Sequence, residues 1–234
     1  MDCAFCGGLG VVKADVPVGH PDFGRMLPCP KCGERIAREH TARLMAIFAD
    51  QIARYTALRG WLTECRFRGF DARRAAAAYN AVTRWADGQG PVWLYLYGPP
   101  GNGKTHLAAA AANTLLDRGY PVLFATAPDL LAMVRSGFDT GEAESLIGFC
   151  QRVPALIVDD LGAEQLTPWA AEVLFRIFNA RYVERLRTLV VSNVAVNDIP
   201  EPRLASRLQD AAVCAVVANS APDYRRGRNG VHRS

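Results

Sequence analysis

The stretch YLYGPPGNGKTHLAAAAAN, from Tyr95 to Asn113, decides the fold of this chain. Its central residues, Gly98 to Thr105, fit the pattern G-x-x-x-x-G-K-[ST], in which a glycine-rich loop binds phosphate groups. An apolar run that predicts a buried strand precedes the loop, and an alanine-rich segment that predicts a helix follows it. Because a phosphate-binding loop requires this context, the sequence predicts a nucleotide site here.

The loop should present backbone N–H groups to phosphate oxygens at a helix N-terminus. We expect the ammonium of Lys104 to lie between the β and γ phosphates of ATP, and the hydroxyl of Thr105 to ligate Mg²⁺. For His106, packing or a polar contact near the nucleotide is favoured over catalysis. The residues expected to bind the nucleotide are Gly98, Pro99, Pro100, Gly101, Asn102, Gly103, Lys104, Thr105 and His106.

Two further apolar runs end in polar residues that suit phosphate chemistry. ALIV is followed by Asp159 and Asp160, and TLVV is followed by Ser192 and Asn193. An acid at a strand end can hold Mg²⁺ and a second acid can orient the attacking water, so we assign Asp159 to the metal and Asp160 to the water. Glu164 is a reserve candidate for the base. Asn193 is expected to contact the γ-phosphate or its water, the alternative being an ordinary turn residue.

Apolar runs and helical patterns alternate from about Cys65 onward, which predicts an α/β fold whose parallel sheet is covered on both faces. Ahead of that region, apolar residues between Glu34 and about Gly60 recur with helical spacing, with arginines between them. The first 33 residues are rich in Gly, Pro and Cys and predict a loop-dominated unit. We therefore expect three parts: a small module at 1–33, a helical linker at 34–63 and a nucleotide-binding domain at 64–234.

Two C-x-x-C motifs lie in the first part, Cys3 with Cys6 and Cys29 with Cys32. Four thiolates from two such motifs can close a tetrahedral zinc site, although the 22-residue spacer is slightly longer than usual. Two disulfides or a redox pair are the alternatives, and His20 could replace one ligand. A four-cysteine site leaves no open coordination position, so any Zn²⁺ held there should be structural rather than catalytic.

Composition and charge indicate which partners and which cellular location to expect. The formal net charge is +4, and arginines outnumber acids both between residues 34 and 90 and after residue 202. Such basic segments could bind a nucleic-acid backbone. The alternative is that these arginines form solvated surface faces with no nucleic-acid partner. No apolar run approaches the roughly 18 residues of a membrane span, and no signal peptide is visible. We expect a cytoplasmic protein that does not contact membranes.

The motifs together resemble one family. The runs GPPGNGKTHLA, LIVDDLG, LFRIFNARY, VVSN, RLASRL and DYR, spread over about residues 64 to 226, are similar to those of DnaC/IstB-type AAA+ ATPases. That family includes bacterial and phage helicase loaders and transposition helper ATPases. The resemblance implies an AAA+ P-loop core with a five-stranded parallel sheet between helices and a reduced or absent helical lid. Many relatives carry Glu where this chain has Asp160, so the attacking water should be less firmly held here.

The resemblance also implies a site shared between subunits that associate when ATP binds. Arg207 matches the family's arginine finger, which reaches the γ-phosphate bound by a neighbouring subunit, and Arg203 lies on the same helix face. Arg225 matches a residue that touches nucleotide in its own subunit. The alternative is that Arg203 and Arg207 are an ordinary solvated pair of surface arginines.

The expected function is ATP-dependent loading of a replicative helicase onto single-stranded DNA, with ATP hydrolysis at a subunit interface. A zinc module followed by a basic helix resembles the end of some loaders that holds the helicase. The alternative is a transposition helper ATPase that assembles on duplex DNA. A binding module that scarcely hydrolyses ATP and a small-molecule phosphotransferase are more remote alternatives. No base-reading motif is recognisable, so we expect DNA contacts without sequence preference.

Overall fold

The computed structural model describes residues 3–18, 20, 23–162 and 167–224. Contacts divide the chain into two compact units, Met1–Ile47 and Phe48–Ser234. The division falls within helix α1 (Gly33–Tyr55). The module boundaries expected after residues 33 and 63 stay a prediction.

The first unit contains a short hairpin ahead of α1. Strands β1 (Val11–Lys13) and β2 (Met26–Pro28) pair antiparallel, with Val12 opposite Leu27. The sequence predicted a loop-dominated unit without identifying these strands, because strands of three residues are too short to show an alternating pattern. Helix α1 begins directly after the second C-x-x-C motif, where the carbonyl of Cys29 accepts the N–H of Gly33 at 2.8 Å.

The second unit is an α/β domain with a five-stranded, entirely parallel sheet. The strand order is β4-β5-β6-β3-β7. In chain order the elements are α2 (Ala76–Ala86), β3 (Trp93–Tyr97), α3 (Lys104–Asp117), β4 (Val122–Thr126), α4 (Ala127–Thr140), α5 (Ala143–Arg152), β5 (Ala155–Leu161), α6 (Pro168–Val183), β6 (Arg187–Ser192), α7 (Pro202–Leu208) and β7 (Cys214–Ala218). The predicted α/β class and parallel sheet are confirmed.

The central strands are apolar throughout because helices cover both faces of the sheet. On β3, Trp93 and Tyr95 join one core cluster with α6, whereas Leu94 and Leu96 join the other with α3. Both helices α4 and α6 begin at a threonine whose hydroxyl accepts a backbone N–H, which caps the first turn. All five strands are parallel, so their carboxyl ends meet at one edge of the sheet.

Helix α2 was not foreseen, because the run of alanines at 75–78 carries no periodic pattern. In the structure Ala78, Val82 and Trp85 are buried on one face of this helix. The indole N–H of Trp85 donates to the carbonyl of Val92 at 3.0 Å. The helix thus fixes the approach of the chain to β3 and to the phosphate loop beyond it.

A fully buried arginine joins three elements of the second unit. Arg181 of α6 donates to the carbonyls of Cys150, Val153 and Arg187 at 2.9, 2.7 and 2.7 Å, and to the hydroxyl of Thr188 at 3.0 Å. Burial lowers the pKa of this guanidinium, while the oxygens around it favour its charged form. Arg181 therefore ties α6 to the end of α5 and to the start of β6.

Replacing Arg181 should destabilise the second unit strongly. We expect Arg181→Met to lower the free energy of unfolding by about 3–5 kcal/mol, because several buried carbonyls lose their partner. All four tryptophans, Trp61, Trp85, Trp93 and Trp169, belong to this unit, so their fluorescence during urea unfolding measures it. The exposed Arg185→Met is the control, with an expected loss below about 1 kcal/mol. Equal losses in the two variants would contradict this role.

Candidate nucleotide and metal sites

The phosphate loop lies between β3 and α3, where the sequence placed it. Lys104, the first residue of α3, is buried, and its ammonium donates to the carbonyls of Gly98 and Pro99 at 2.7 and 2.8 Å. It also donates to the side-chain oxygen of Asn102 at 3.1 Å. Gly103 has a φ of 89°, and a Cβ there would lie 2.6 Å from the ring of Phe70, so this position requires glycine. The lysine is therefore held at the centre of the loop.

The two aspartates at the end of β5 occupy different environments. The pairing of β5 with β6 shifts register between Val158 and Leu161, which marks a bulge at the aspartates. Asp159 is buried and accepts the backbone N–H of Asp160 at 3.0 Å and the hydroxyl of Thr105. Asp160 is exposed, with a φ of 56°. The bulge thus turns one carboxylate toward the loop and the next toward solvent.

Asn193 lies at the end of the neighbouring strand β6, as predicted. Its amide donates to the Asp160 carboxylate at 3.3 Å. Next to it, the buried hydroxyl of Ser192 donates to the carbonyl of Leu161 at 2.6 Å and accepts the N–H of Val194 at 3.1 Å. These bonds connect the ends of β5 and β6, so Asp160 and Asn193 are presented together.

A cleft of about 390 Å³ brings most of the predicted residues together. It is lined by Pro100, Gly101, Asn102, Gly103, Lys104, Thr105, His106, Asp160 and Asn193, together with Trp61. Trp61 was not foreseen. It lies in a short 3-10 turn, Gly60–Glu64, about forty residues before the loop, and no local motif marks it.

Aromatic side chains pack beside the loop. The ring of Phe70 lies 5.6 Å from that of His106, 6.1 Å from that of Tyr79 and 5.8 Å from that of Tyr224. Nε2 of His106 lies 3.2 Å from the carbonyl oxygen of Arg66. The structure thus places His106 in a packed position at the cleft wall.

The buried carboxyl of Asp159 should make the stability of the second unit depend on pH. Burial raises its pKa to about 6, against the opposing hydrogen bond from Thr105. The folded state therefore binds this proton more readily than the unfolded chain does, and the group's contribution to stability rises as pH falls from about 7 toward 4. In magnesium-free and nucleotide-free buffer, Asp159→Asn should stabilise the second unit by about 1–2 kcal/mol at pH 7.5.

That gain should shrink as the pH falls below 6, because the wild-type carboxyl then becomes neutral as well. Urea unfolding followed by tryptophan fluorescence between pH 5 and 8 measures it. Asp198→Asn, at an exposed position, serves as the control and should show no such trend. A stability difference for Asp159→Asn that does not change with pH would contradict the assignment.

Arg203 and Arg207 lie on α7 and are not among the residues that line the cleft. Arg207 donates through Nε to the side-chain oxygen of Asn179 at 3.0 Å and through Nη1 to the carbonyl of Arg203 at 2.8 Å. The guanidinium groups of Arg203 and Arg207 lie 3.9 and 4.7 Å from the ring centroid of Phe175. Arg203 also pairs with Glu172 and Glu201. Both arginines are therefore held against α6.

Two other candidates, Arg225 and the reserve base Glu164, lie outside the described residues.

The four predicted cysteines form a cluster in the first unit. Their sulfur atoms all lie within 4.8 Å of one another, with Cys3 and Cys29 3.9 Å apart and Cys6 and Cys32 3.3 Å apart. Backbone N–H groups of Phe5 and Cys6 lower the pKa of Cys3 to about 6. The N–H of Gly10 donates to the sulfur of Cys6 at 3.3 Å. The donors at Cys3 favour its thiolate form, whereas the hydrogen bond with Cys6 and burial raise the pKa of Cys32 to about 12.

The cluster fits a zinc ion. Zn–S bonds of about 2.3 Å at tetrahedral angles require sulfur atoms about 3.8 Å apart. Two of the sulfur–sulfur separations are 3.3 and 3.9 Å, and all of them are within 4.8 Å. His20 is not part of the cluster. The donor set is the one expected of a closed structural site, and the sequence identified all four of its members.

The loop, the acidic strand end and the five parallel strands define a P-loop protein of the AAA+ class. The chain belongs to the family described as IstB-like ATP binding protein, whose model matches residues 35–218. The resemblance seen in the motifs is thereby confirmed. Among the described helices, none is both long and apolar enough to cross a bilayer.

Curated relatives include insertion-sequence ATP-binding proteins, a helicase loader and chromosomal replication initiators. A putative insertion sequence ATP-binding protein of Sinorhizobium fredii is 31% identical over 139 residues, 57% of this chain and 46% of that protein. The replicative helicase loader DnaI of Bacillus subtilis is 31% identical over 107 residues, 45% of this chain and 34% of that protein. The chain thus spans about a third to a half of the length of these relatives.

Solved structures support the fold. A crystal structure of DnaI superposes with a TM-score of 0.60 at 22% identity, over 70% of this chain and 96% of that one. The replication initiator DnaA bound to AMPPCP and single-stranded DNA gives 0.60 at 23% identity, over 66% of this chain and 50% of that one. At these identities the likeness concerns the fold alone.

Proposed function

We propose that this protein is an ATP-dependent loader of a replicative DNA helicase onto single-stranded DNA. The observation that carries the proposal is the four-cysteine unit ahead of the AAA+ domain. One relative of the ATP-binding part is itself named a replicative helicase loader. The first unit would hold the helicase, and the second would bind DNA and ATP.

The surface of the first unit suits a protein partner. Large apolar side chains are exposed on and beside its hairpin, namely Phe5, Leu9, Val11, Val18, Phe23, Met26 and Leu27. Exposed apolar side chains in such numbers on so small a unit are typical of interaction surfaces. Cys3, Cys6, Cys29 and Cys32 would hold Zn²⁺, which when bound fixes the fold of this unit.

In the AAA+ domain each side chain has a separate task. Lys104 would exchange its contacts with loop carbonyls for oxygens of the β and γ phosphates. Thr105 and Asp159 would hold Mg²⁺, which when bound neutralises charge on the phosphate oxygens. Asp160 would accept a proton from the attacking water, and Asn193, already bonded to Asp160, would orient that water. We propose Arg225 as a further nucleotide contact within the subunit.

The site would be completed by a neighbouring subunit. Arg207 does not line the cleft of its own chain, and its guanidinium is held on α6 by Asn179 and Phe175. A fixed position of this kind suits an arginine that stabilises charge on a γ-phosphate in trans. Arg203, four residues earlier, would support it. Hydrolysis would then require assembly.

Arg207→Ala tests this arrangement. We expect ATP hydrolysis in the assembled protein to fall about 10³-fold or more while ATP affinity stays within about twofold, because only the neighbour's γ-phosphate loses its partner. Mixing Arg207→Ala with Lys104→Ala should restore part of the activity, since some interfaces then combine an intact loop with an intact arginine. Arg176→Ala, which removes an exposed pair with Glu144, is the control. Failure of the mixture to regain activity would mean that Arg207 acts only within its own chain.

A transposition helper that assembles on duplex DNA is the second candidate. It is favoured by relatives from insertion sequences, such as the IS5376 putative ATP-binding protein of Geobacillus stearothermophilus, 36% identical over 100 residues. The type of DNA separates the two functions. A loader should bind single-stranded oligonucleotides with ATP in preference to duplexes, with an affinity that falls steeply with salt. Filaments formed only on duplex DNA would favour the helper.

A further inference from the structure

The turn that follows strand β7 contacts the phosphate loop directly. Asn219 is the first residue after β7 and is only 2% exposed. Its backbone N–H donates to the carbonyl of Tyr97 at 2.7 Å, which continues the pairing of β7 with β3. The pattern of the sequence assigns no role to this residue.

Asn219 and Asn102 form a reciprocal pair. The side-chain amide of Asn102 donates to the backbone carbonyl of Asn219 at 2.6 Å, and the side-chain amide of Asn219 donates to the backbone carbonyl of Asn102 at 3.0 Å. Both side chains are buried. The side-chain oxygen of Asn102 accepts the ammonium of Lys104 at 3.1 Å, and that of Asn219 accepts the N–H of Ala221 at 3.1 Å. A short hydrogen-bonded chain therefore leads from the turn to the lysine.

Two other loop residues meet the same turn. Gly98 has a φ of 148°, and a Cβ there would lie 2.1 Å from the carbonyl oxygen of Asn219, so only glycine allows this approach. The carbonyl of Gly101 accepts the N–H of Tyr224 at 2.9 Å. Residues 98, 101 and 102 are thus all positioned by the segment from Asn219 to Tyr224.

We propose that Asn219 is a positioning residue of the nucleotide site, which fixes the phosphate loop through Asn102. This deepens the proposed function and rests on ATP binding by the loop. Loop N–H groups bind phosphate well only when they are already arranged for it, so loss of the Asn219 amide should weaken ATP binding. By linkage, bound ATP should in turn stabilise the segment 219–224.

Calorimetric titration with Mg·ATP tests the proposal in a double-mutant cycle. Asn219→Ala and Asn102→Ala should each weaken ATP binding about tenfold. The double variant should bind scarcely more weakly than Asn102→Ala alone, because both substitutions disrupt the same pair of hydrogen bonds between Asn102 and Asn219. Thr188→Val removes a comparably buried polar contact at the opposite end of the sheet and should leave affinity unchanged. Unchanged affinity in Asn219→Ala, or single effects that multiply in the double variant, would overturn the proposal.

A measurement on the wild-type chain keeps the test independent of how well the variants fold. Mg·ATP should slow amide hydrogen exchange at Ala221 and Tyr224 at least severalfold, because their N–H groups donate to Asn219 and Gly101. Exchange there that is unaffected by saturating ATP would also overturn it. A wild-type protein that does not bind ATP at all would instead contradict the proposed function.

Discussion

Lys104→Ala should slow ATP hydrolysis by this protein by two to three orders of magnitude, about 10²–10³-fold, while leaving it folded. The ammonium is buried within the phosphate loop and bonded to the carbonyls of Gly98 and Pro99, so its position is fixed before a nucleotide arrives. Loss of a preorganised charge at the transferring phosphoryl group costs about 10²–10³ in rate. We expect a loss of this size in ATP hydrolysis, with at least tenfold weaker ATP binding.

Lys104→Arg separates charge from geometry. The planar guanidinium retains the charge but cannot replace a compact ammonium among three oxygen atoms, so this variant should be nearly as inactive. Phosphate release in a steady-state assay, with the melting temperature measured in parallel, provides the readout. If Lys104→Ala hydrolysed ATP within about twofold of wild type, ATP turnover would not depend on this loop.

Removal of zinc should unfold the first unit and leave the second intact. The unit Met1–Ile47 is held together by a hairpin of two three-residue strands, the start of α1 and the cysteine cluster. So small a unit buries too little apolar surface to be stable alone, and structural zinc supplies about 10–16 kcal/mol in comparable peptides. A strong chelator should therefore abolish amide protection in this unit, while ATP affinity stays unchanged.

Elemental analysis of purified variants provides the second measurement. Wild type should contain one zinc per chain, and Cys29→Ser should contain none. Cys65→Ala, at a buried cysteine of the second unit, should retain the metal and is the matched control. Zinc-free wild type that keeps the protection of its first unit would contradict the metal site and would favour the disulfide alternative.

The parts of the site that sequence could predict are those set by local chemistry. The phosphate loop and the cysteine motifs each place several ligands within a few residues, so their spacing alone reveals them. The ends of β5 and β6 were also predictable, because the carboxyl ends of parallel strands meet at one edge. Asp159, Asp160 and Asn193 lie there as expected.

The parts that escaped prediction depend on contacts between distant residues. Trp61 reaches the cleft, and Asn219 reaches Asn102 across 117 positions of sequence, through the packing of the whole domain. The burial of Arg181 could not be predicted from the sequence either, because an arginine in a helix ordinarily indicates an exposed face. The register shift gives Asp159 and Asp160 different environments. It could not be predicted, because the sequence shows only an apolar run followed by two acids.

The central claim is that the four-cysteine unit holds a replicative helicase. Light scattering on a sizing column, with the protein mixed with the replicative helicase of its host in the presence of ATP or ADP, tests it most directly. We predict a complex that forms with the zinc-loaded protein and is lost after chelation or in Cys29→Ser, but persists in Cys65→Ala. Absence of a complex in every nucleotide state, with assemblies appearing only on duplex DNA and ATP, would contradict the loader and support the transposition helper.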